Sequence, residues 1–246
     1  MIESIVKIVD GADTAILFIH GVLETSDFCL DYMPYVPDDW SLYSMTLKGH
    51  GGKVEDFSHA SMKEWEQEVH QVVGQLKATH KKLVIVTHSM GSLFAIQEAV
   101  NGMADRLFLL NAPMKVFLRP TFFKLLFKVF TNWIGPEDKW YRESAEKYGI
   151  ESDYNIFKYF GWLPRMIELL MEIAKTRKLT SGIKVPTTMY YSKYDEMVAL
   201  ASVRYLRGNK NIKLKLLPNS GHLYYSPEDK KKVIDDFKKN VIQGRW

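Results

Sequence analysis

The chain has 246 residues, an apolar fraction of 46% and a formal net charge of +4. That length suits one α/β domain with a sizeable core, and the mild, dispersed charge leaves no footprint for nucleic acid. A single cysteine, Cys29, excludes an internal disulfide and the histidines lack metal-site spacing; with no signal-like segment or membrane span, a soluble cytoplasmic protein is expected.

Strand-like runs near 4–9 and 14–19 open the chain. The second leads into His20-Gly21-Val22, where a glycine lets the backbone turn so that the N–H of Val22 is presented at the strand's end. A third strand, near 41–47, runs into Gly49-His50-Gly51. Ser61 then caps a helix with Glu64 three residues on, and Met62, Trp65, Val69, Val72, Val73 and Leu76 recur at helical spacing. The apolar, β-branched run Leu83 to Val86 passes through Thr87-His88 into Ser89-Met90-Gly91, and a helical stretch from Leu93 to Val100 follows at once. A serine between strand and helix, flanked by small residues two positions away, is the pattern of a nucleophile elbow. Gly91 meets that demand, whereas Thr87 stands where a glycine is expected and predicts strain. The blander reading is a buried strand followed by a serine-capped helix.

A strand near 106–110 follows, and then the strand rhythm stops. Residues 113–180 are helical and rich in aromatics, broken at Gly135-Pro136 and around Gly161. They read as a helical cap inserted into a core of residues 1–112 and 181–246. The stretch Phe122 to Trp133 is apolar almost all round. Three readings compete for it, in this order: a helix buried between cap and core, a wall facing substrate, and a contact with a membrane surface. Its Phe123, Phe127, Phe130 and Trp133, together with His88, are candidate pocket residues.

A strand at 187–191 leads to Asp195, with Glu196 as the runner-up acid and a helix expected from about 199 to 206. A last strand at 212–217 precedes Gly221-His222, and Ser226-Pro227 opens the final helix. His222 is the one histidine after Ser89. A serine hydroxyl needs a base within hydrogen-bond reach, and that base needs a carboxylate. The N–H groups of Val22 and Met90 would then form an oxyanion hole, worth about 3 kcal/mol per donor. His20 and His50 read as structural.

Strands alternating with helices imply a mostly parallel central sheet with helices on both faces. Taken together, His20-Gly21, Gly49-His50-Gly51, Thr87-His88-Ser89-Met90-Gly91, Ser192-Lys193-Tyr194-Asp195 and Gly221-His222 resemble the α/β-hydrolase superfamily, and within it small bacterial carboxylesterases and monoacylglycerol lipases. The resemblance spans nearly the whole chain. It implies Ser89 as nucleophile, Asp195 as acid, His222 as base, Val22 and Met90 as oxyanion donors, and no cofactor or metal. Ser192 departs from a glycine often found there. The implied reaction is hydrolysis of a small-molecule ester, medium-chain or monoacylglycerol-like, through an acyl-enzyme. Thioesterase, amidase, acyltransferase and C–C hydrolase chemistry would use the same triad, and a small-ligand receptor is the non-enzymatic reading.

Overall fold

The computed structural model describes residues 2–131 and 133–244, the side chains of 129–131 excepted. Among the described residues, seven strands form one sheet: β1 (Ile5–Lys7), β2 (Thr14–Ile19), β3 (Ser41–Ser44), β4 (Lys82–His88), β5 (Arg106–Leu110), β6 (Thr187–Ser192) and β7 (Ile212–Leu217). Their order is β1-β3-β2-β4-β5-β6-β7, with β1 antiparallel to β3 and every other pair parallel. The order reverses between β2 and β4. In open α/β sheets the crevice at such a point, beyond the carboxyl ends of the strands, is where ligands bind.

The aliphatic run of β4 is explained by its place. It lies between β2 and β5, with Ile19 beside Thr87 and Leu110 beside His88, and it is covered on both faces. Leu83 and Ile85 pack with Trp65, Val69 and Leu76 of α2 (Met62–Thr79), Leu93 and Ile96 of α3 (Gly91–Val100) and Ile173. Val84 and Val86 point the other way, toward Val233, Ile234 and Phe237 of α7 (Pro227–Phe237). This two-sided alternation divides the core into two layers. Helix α2 starts where its cap predicts: Ser61 accepts from the Glu64 N–H and its hydroxyl donates to the Glu64 carboxylate. The predicted apolar stripe is the buried one.

Three boundaries differ from expectation. β1 is shorter than 4–9, and Val9 N–H donates to Ser41 Oγ instead of a ladder carbonyl. β3 stops at Ser44 because the N–H groups of Thr46 and Leu47 are taken by Ser4 Oγ and His20 Nε2, both at 3.0 Å. The helix expected near 199–206 is a 3-10 turn, Leu200–Tyr205.

Between β5 and β6 run α4 (Pro120–Thr131), α5 (Lys139–Glu146), a 3-10 turn at Ile156–Gly161 and α6 (Trp162–Arg177); the short α1 (Val54–His59) precedes α2. α6 is tied to the core: Ile173 is fully buried, and Gln97 of α3 donates to Glu172 at 2.5 Å and Thr176 at 3.3 Å. The chain entering α4 is laddered to residues 196–199 by Phe117 N–H to Met197 O, Arg119 N–H to Glu196 O and Ala199 N–H to Lys115 O, each 2.9 Å. Beyond α5, Gly149 N–H donates to Leu23 O at 2.7 Å. Among the described residues, no helix is long and apolar enough to cross a membrane.

Candidate active site

Ser89 follows β4 at the point where the sheet order reverses. Its φ is +46°, a left-handed conformation that costs a non-glycine residue about 1–3 kcal/mol. The turn is over-determined by its neighbours. Ser89 N–H donates to Leu110 O at 2.8 Å, and Gly91 lies so close to β2 that a Cβ there would sit 2.8 Å from His20 O and overlap Ile19 O. Thr87, expected to strain this turn, is fully buried with its hydroxyl 2.8 Å from Ser92 Oγ, so its extra atoms are packed and hydrogen-bonded.

Three side chains from the ends of three strands meet here, all nearly inaccessible. His222 Nε2 lies 3.0 Å from Ser89 Oγ, and His222 Nδ1 lies 2.8 Å from Asp195 Oδ2. Asp195 Oδ1 accepts the N–H groups of Met197 at 2.9 Å and Val198 at 2.6 Å, which fixes the carboxylate in rotation. A carboxylate only accepts, so Nδ1 carries the proton and the Nε2 lone pair faces the serine hydroxyl. Burial pulls the His222 imidazole down; the charge and hydrogen bond of Asp195, followed by Glu24 and Glu196, outweigh it and hold His222 above its ordinary pKa.

The loop after β2 closes the other side. A Cβ on Gly21 would come within 2.9 Å of Ser89 Cβ and would overlap the Glu24 carboxylate, so only glycine permits this approach. Among the described residues, neither Val22 N–H nor Met90 N–H has a protein acceptor, and Met90 is the N-cap of α3. His20 is a buried brace: its Nε2 accepts Leu47 N–H, so its Nδ1 donates to Gly21 O at 2.7 Å. His50 is also buried, with Nδ1 facing Leu47 O and Lys48 O and its ring 4.7 Å from that of His20.

Of the candidate pocket residues, His88 is brought to the site. Its Nε2 donates to His222 O at 3.0 Å and its Nδ1 lies 2.6 Å from Glu24 Oε2. Phe123, Phe127 and Trp133 are each more than half exposed on α4 and the turn after it; the side chain of Phe130 lies outside the described residues. Glu196, the runner-up acid, does not reach the imidazole and accepts the His222 backbone N–H instead.

Two residues were missed. Glu24 is buried in the loop after β2, where its Oε2 accepts Gly21 N–H at 2.6 Å. Burial raises its pKa, but His88, followed by His20 and His222, holds it below the ordinary value. Asn111 directly follows β5, at φ +50°; it accepts Ser192 N–H at 3.0 Å and donates to His222 O at 3.1 Å. An asparagine directly after a buried strand tolerates the left-handed region and was the available signal.

A left-handed serine at a sheet's switch point, bonded through histidine to a carboxylate, defines the α/β-hydrolase architecture. The chain belongs to the alpha/beta hydrolase family, whose profile matches residues 16–235. Its fold is similar to a structure from work on LipS and LipT, two metagenome-derived lipolytic enzymes, with a TM-score of 0.73 at 15% identity over 98% of this chain and 97% of that one. It is also similar to a monoacylglycerol lipase of Paleococcus ferrophilus, with a TM-score of 0.71 at 15% identity over 99% and 100% of the two chains. A thioesterase domain from the curacin biosynthetic pathway matches with a TM-score of 0.57 at 17% identity, over 90% of each chain. No curated protein matches the chain in sequence.

Proposed function

We propose that the protein is a serine hydrolase of carboxylic esters, with Ser89 as nucleophile, His222 as general base and Asp195 as the acid that orients it. The observation that carries this reading is the unbroken chain from Ser89 Oγ to His222 Nε2 at 3.0 Å and from His222 Nδ1 to Asp195 at 2.8 Å. Ser89 Oγ attacks the ester carbonyl as its proton passes to His222 Nε2. The carbonyl oxygen becomes an oxyanion facing the free N–H groups of Val22 and Met90. Collapse breaks the bond to the alkoxy group, which takes the proton from His222 and leaves as the alcohol. Water then enters, gives a proton to His222 and attacks the acyl carbonyl. The acid departs as that proton returns to Ser89. Every proton is held by a group of the chain, so the scheme calls for no cofactor.

The aromatic character of residues 113–180, read as a cap over the site, favours an apolar acyl group, medium-chain or monoacylglycerol-like. The lipolytic enzymes and monoacylglycerol lipase that share the fold agree with this substrate class. The thioesterase domain among the fold's relatives gives thioester hydrolysis as the second reading. Turnover of p-nitrophenyl esters from acetyl to palmitoyl, beside matched acyl thioesters, tests both on the wild type and Ser89→Ala. The expected result is ester turnover with a medium-chain optimum that vanishes in the variant. A folded wild type that cleaves thioesters alone would move the assignment to the second reading; one that cleaves neither would overturn both.

A further inference from the structure

Glu196 is a buried carboxylate beside the triad whose two oxygens serve different parts of the molecule. Its Oε2 accepts the backbone N–H of His222 at 2.7 Å, and its Oε1 accepts the indole N–H of Trp140 at 2.5 Å. Only 3% of Glu196 is exposed, and a carboxylate buried to that degree is tolerated only where donors satisfy it. Trp140 belongs to α5. Its ring stacks on Tyr224, centroids 4.6 Å apart and planes at 30°, two residues after His222. Gly221 lies beneath the pair: a Cβ there would meet the Glu196 oxygens at 2.8 and 2.9 Å and overlap the indole. The backbone of Glu196 also accepts the N–H of Arg119, at the entrance to α4. Two separate parts of the inserted segment therefore converge on one residue, which in turn holds the loop carrying His222.

We propose that Glu196 is a positioning residue that couples the seating of α5 to the orientation of His222, with the Trp140 indole as the contact that reports the seated state. With α5 in place, the carboxylate is pinned by the indole N–H and presents its second oxygen to the His222 backbone. With α5 lifted, the carboxylate loses that donor and gains solvent, and the histidine loop loses its fixed acceptor. Substrate that draws α5 down would thereby complete the base. The inference rests on the reading of His222 as general base.

Charge gives this role a signature that simple packing lacks. The ionisable groups facing His222 are Asp195, Glu196, Glu24 and the His88 ring, 4.8 Å away; the phenols of Tyr148 and Tyr225 lie in the field of the same carboxylates. Replacing Glu196 with a neutral isostere removes one of the charges that favour the imidazolium, so the acid limb moves to lower pH. Removing the indole N–H leaves that charge in place.

The test compares wild type, Glu196→Gln, Trp140→Phe, the double variant and Ser89→Ala, using kcat and KM for a p-nitrophenyl ester from pH 5 to 9 (roughly the range where histidine titrates). Folding is followed by circular dichroism and thermal melting. Glu196→Gln is expected to lose about ten-fold in kcat, the loss of one charged hydrogen bond, and to shift its acid limb to lower pH. Trp140→Phe, which keeps the stacking ring, is expected to lose kcat without that shift. The double variant should be no worse than Glu196→Gln, because the indole acts through the carboxylate. Losses that multiply, or wild-type pH profiles in both single variants, would overturn the coupling while Ser89-dependent turnover stands. Turnover that survives in Ser89→Ala would remove the base reading, and the coupling with it.

Discussion

His222 gains its proposed role from contacts on both sides of the ring and on both sides of its peptide. Asp195 sets the tautomer, Glu196 holds the backbone N–H, and His88 and Asn111 hold the backbone carbonyl. To take the Ser89 proton the imidazole must be neutral. Its pKa is held above the ordinary histidine value of about 6.5, so it stays protonated to a higher pH than a free histidine would. The expected acid limb of kcat/KM therefore has its midpoint above about 6.5, with activity gained as pH rises through it. A midpoint clearly below 6, where about three-quarters of an unshifted histidine is protonated, would contradict this. Asp195→Asn should keep the fold but present the wrong tautomer, lowering kcat by about 10⁴-fold in the same assay. At this scale the sequence was partly legible. Ser89, Asp195 and His222 stand at strand ends in an order chemistry recognises. Glu24 and Asn111 do not, because a lone polar residue in a loop acquires meaning only from the carbonyls and N–H groups the fold brings to it.

Among the elements, the best predicted were those whose signals are local. Helix α2 carries its cap and its stripe in its own residues, and Ser61 engages Glu64 through backbone and side chain. Ser61→Ala is expected to destabilise the protein by about 1 kcal/mol, read as a lower melting temperature with unchanged ester turnover; an unaltered melt would show the cap to be redundant. Where boundaries slipped, the competing partner was distant in sequence. Thr46 and Leu47 look like strand, but Ser4 and His20 take their N–H groups, and the chain leaves the sheet toward the site. Thr87 was expected to strain the elbow because it stands where the crowded turn calls for a glycine. Its hydroxyl meets Ser92, the second residue of α3, which lies one position beyond the five residues of the elbow.

For the whole molecule, alternating strand and helix patterns foretold a parallel sheet, and the sheet's order places Gly21 and Ser89 on either side of its switch point. The helical segment between β5 and β6 was less legible. An apolar face in this segment does not imply a covered one, and much of its apolar surface is open: Phe157 is 72% exposed and Met171 67%. Its contacts with the core, through Gln97, Leu23 and Glu196, depend on pairs far apart in the chain. The proposed chemistry nevertheless turns on one atom, Ser89 Oγ. Intact-mass measurement after treatment with a fluorophosphonate tests it most directly, since only an activated serine is modified quickly. The wild type should gain a single adduct that peptide mapping locates at Ser89, and folded Ser89→Ala should gain none. Labelling of Ser89→Ala at the wild-type rate would place the nucleophile elsewhere and contradict the account.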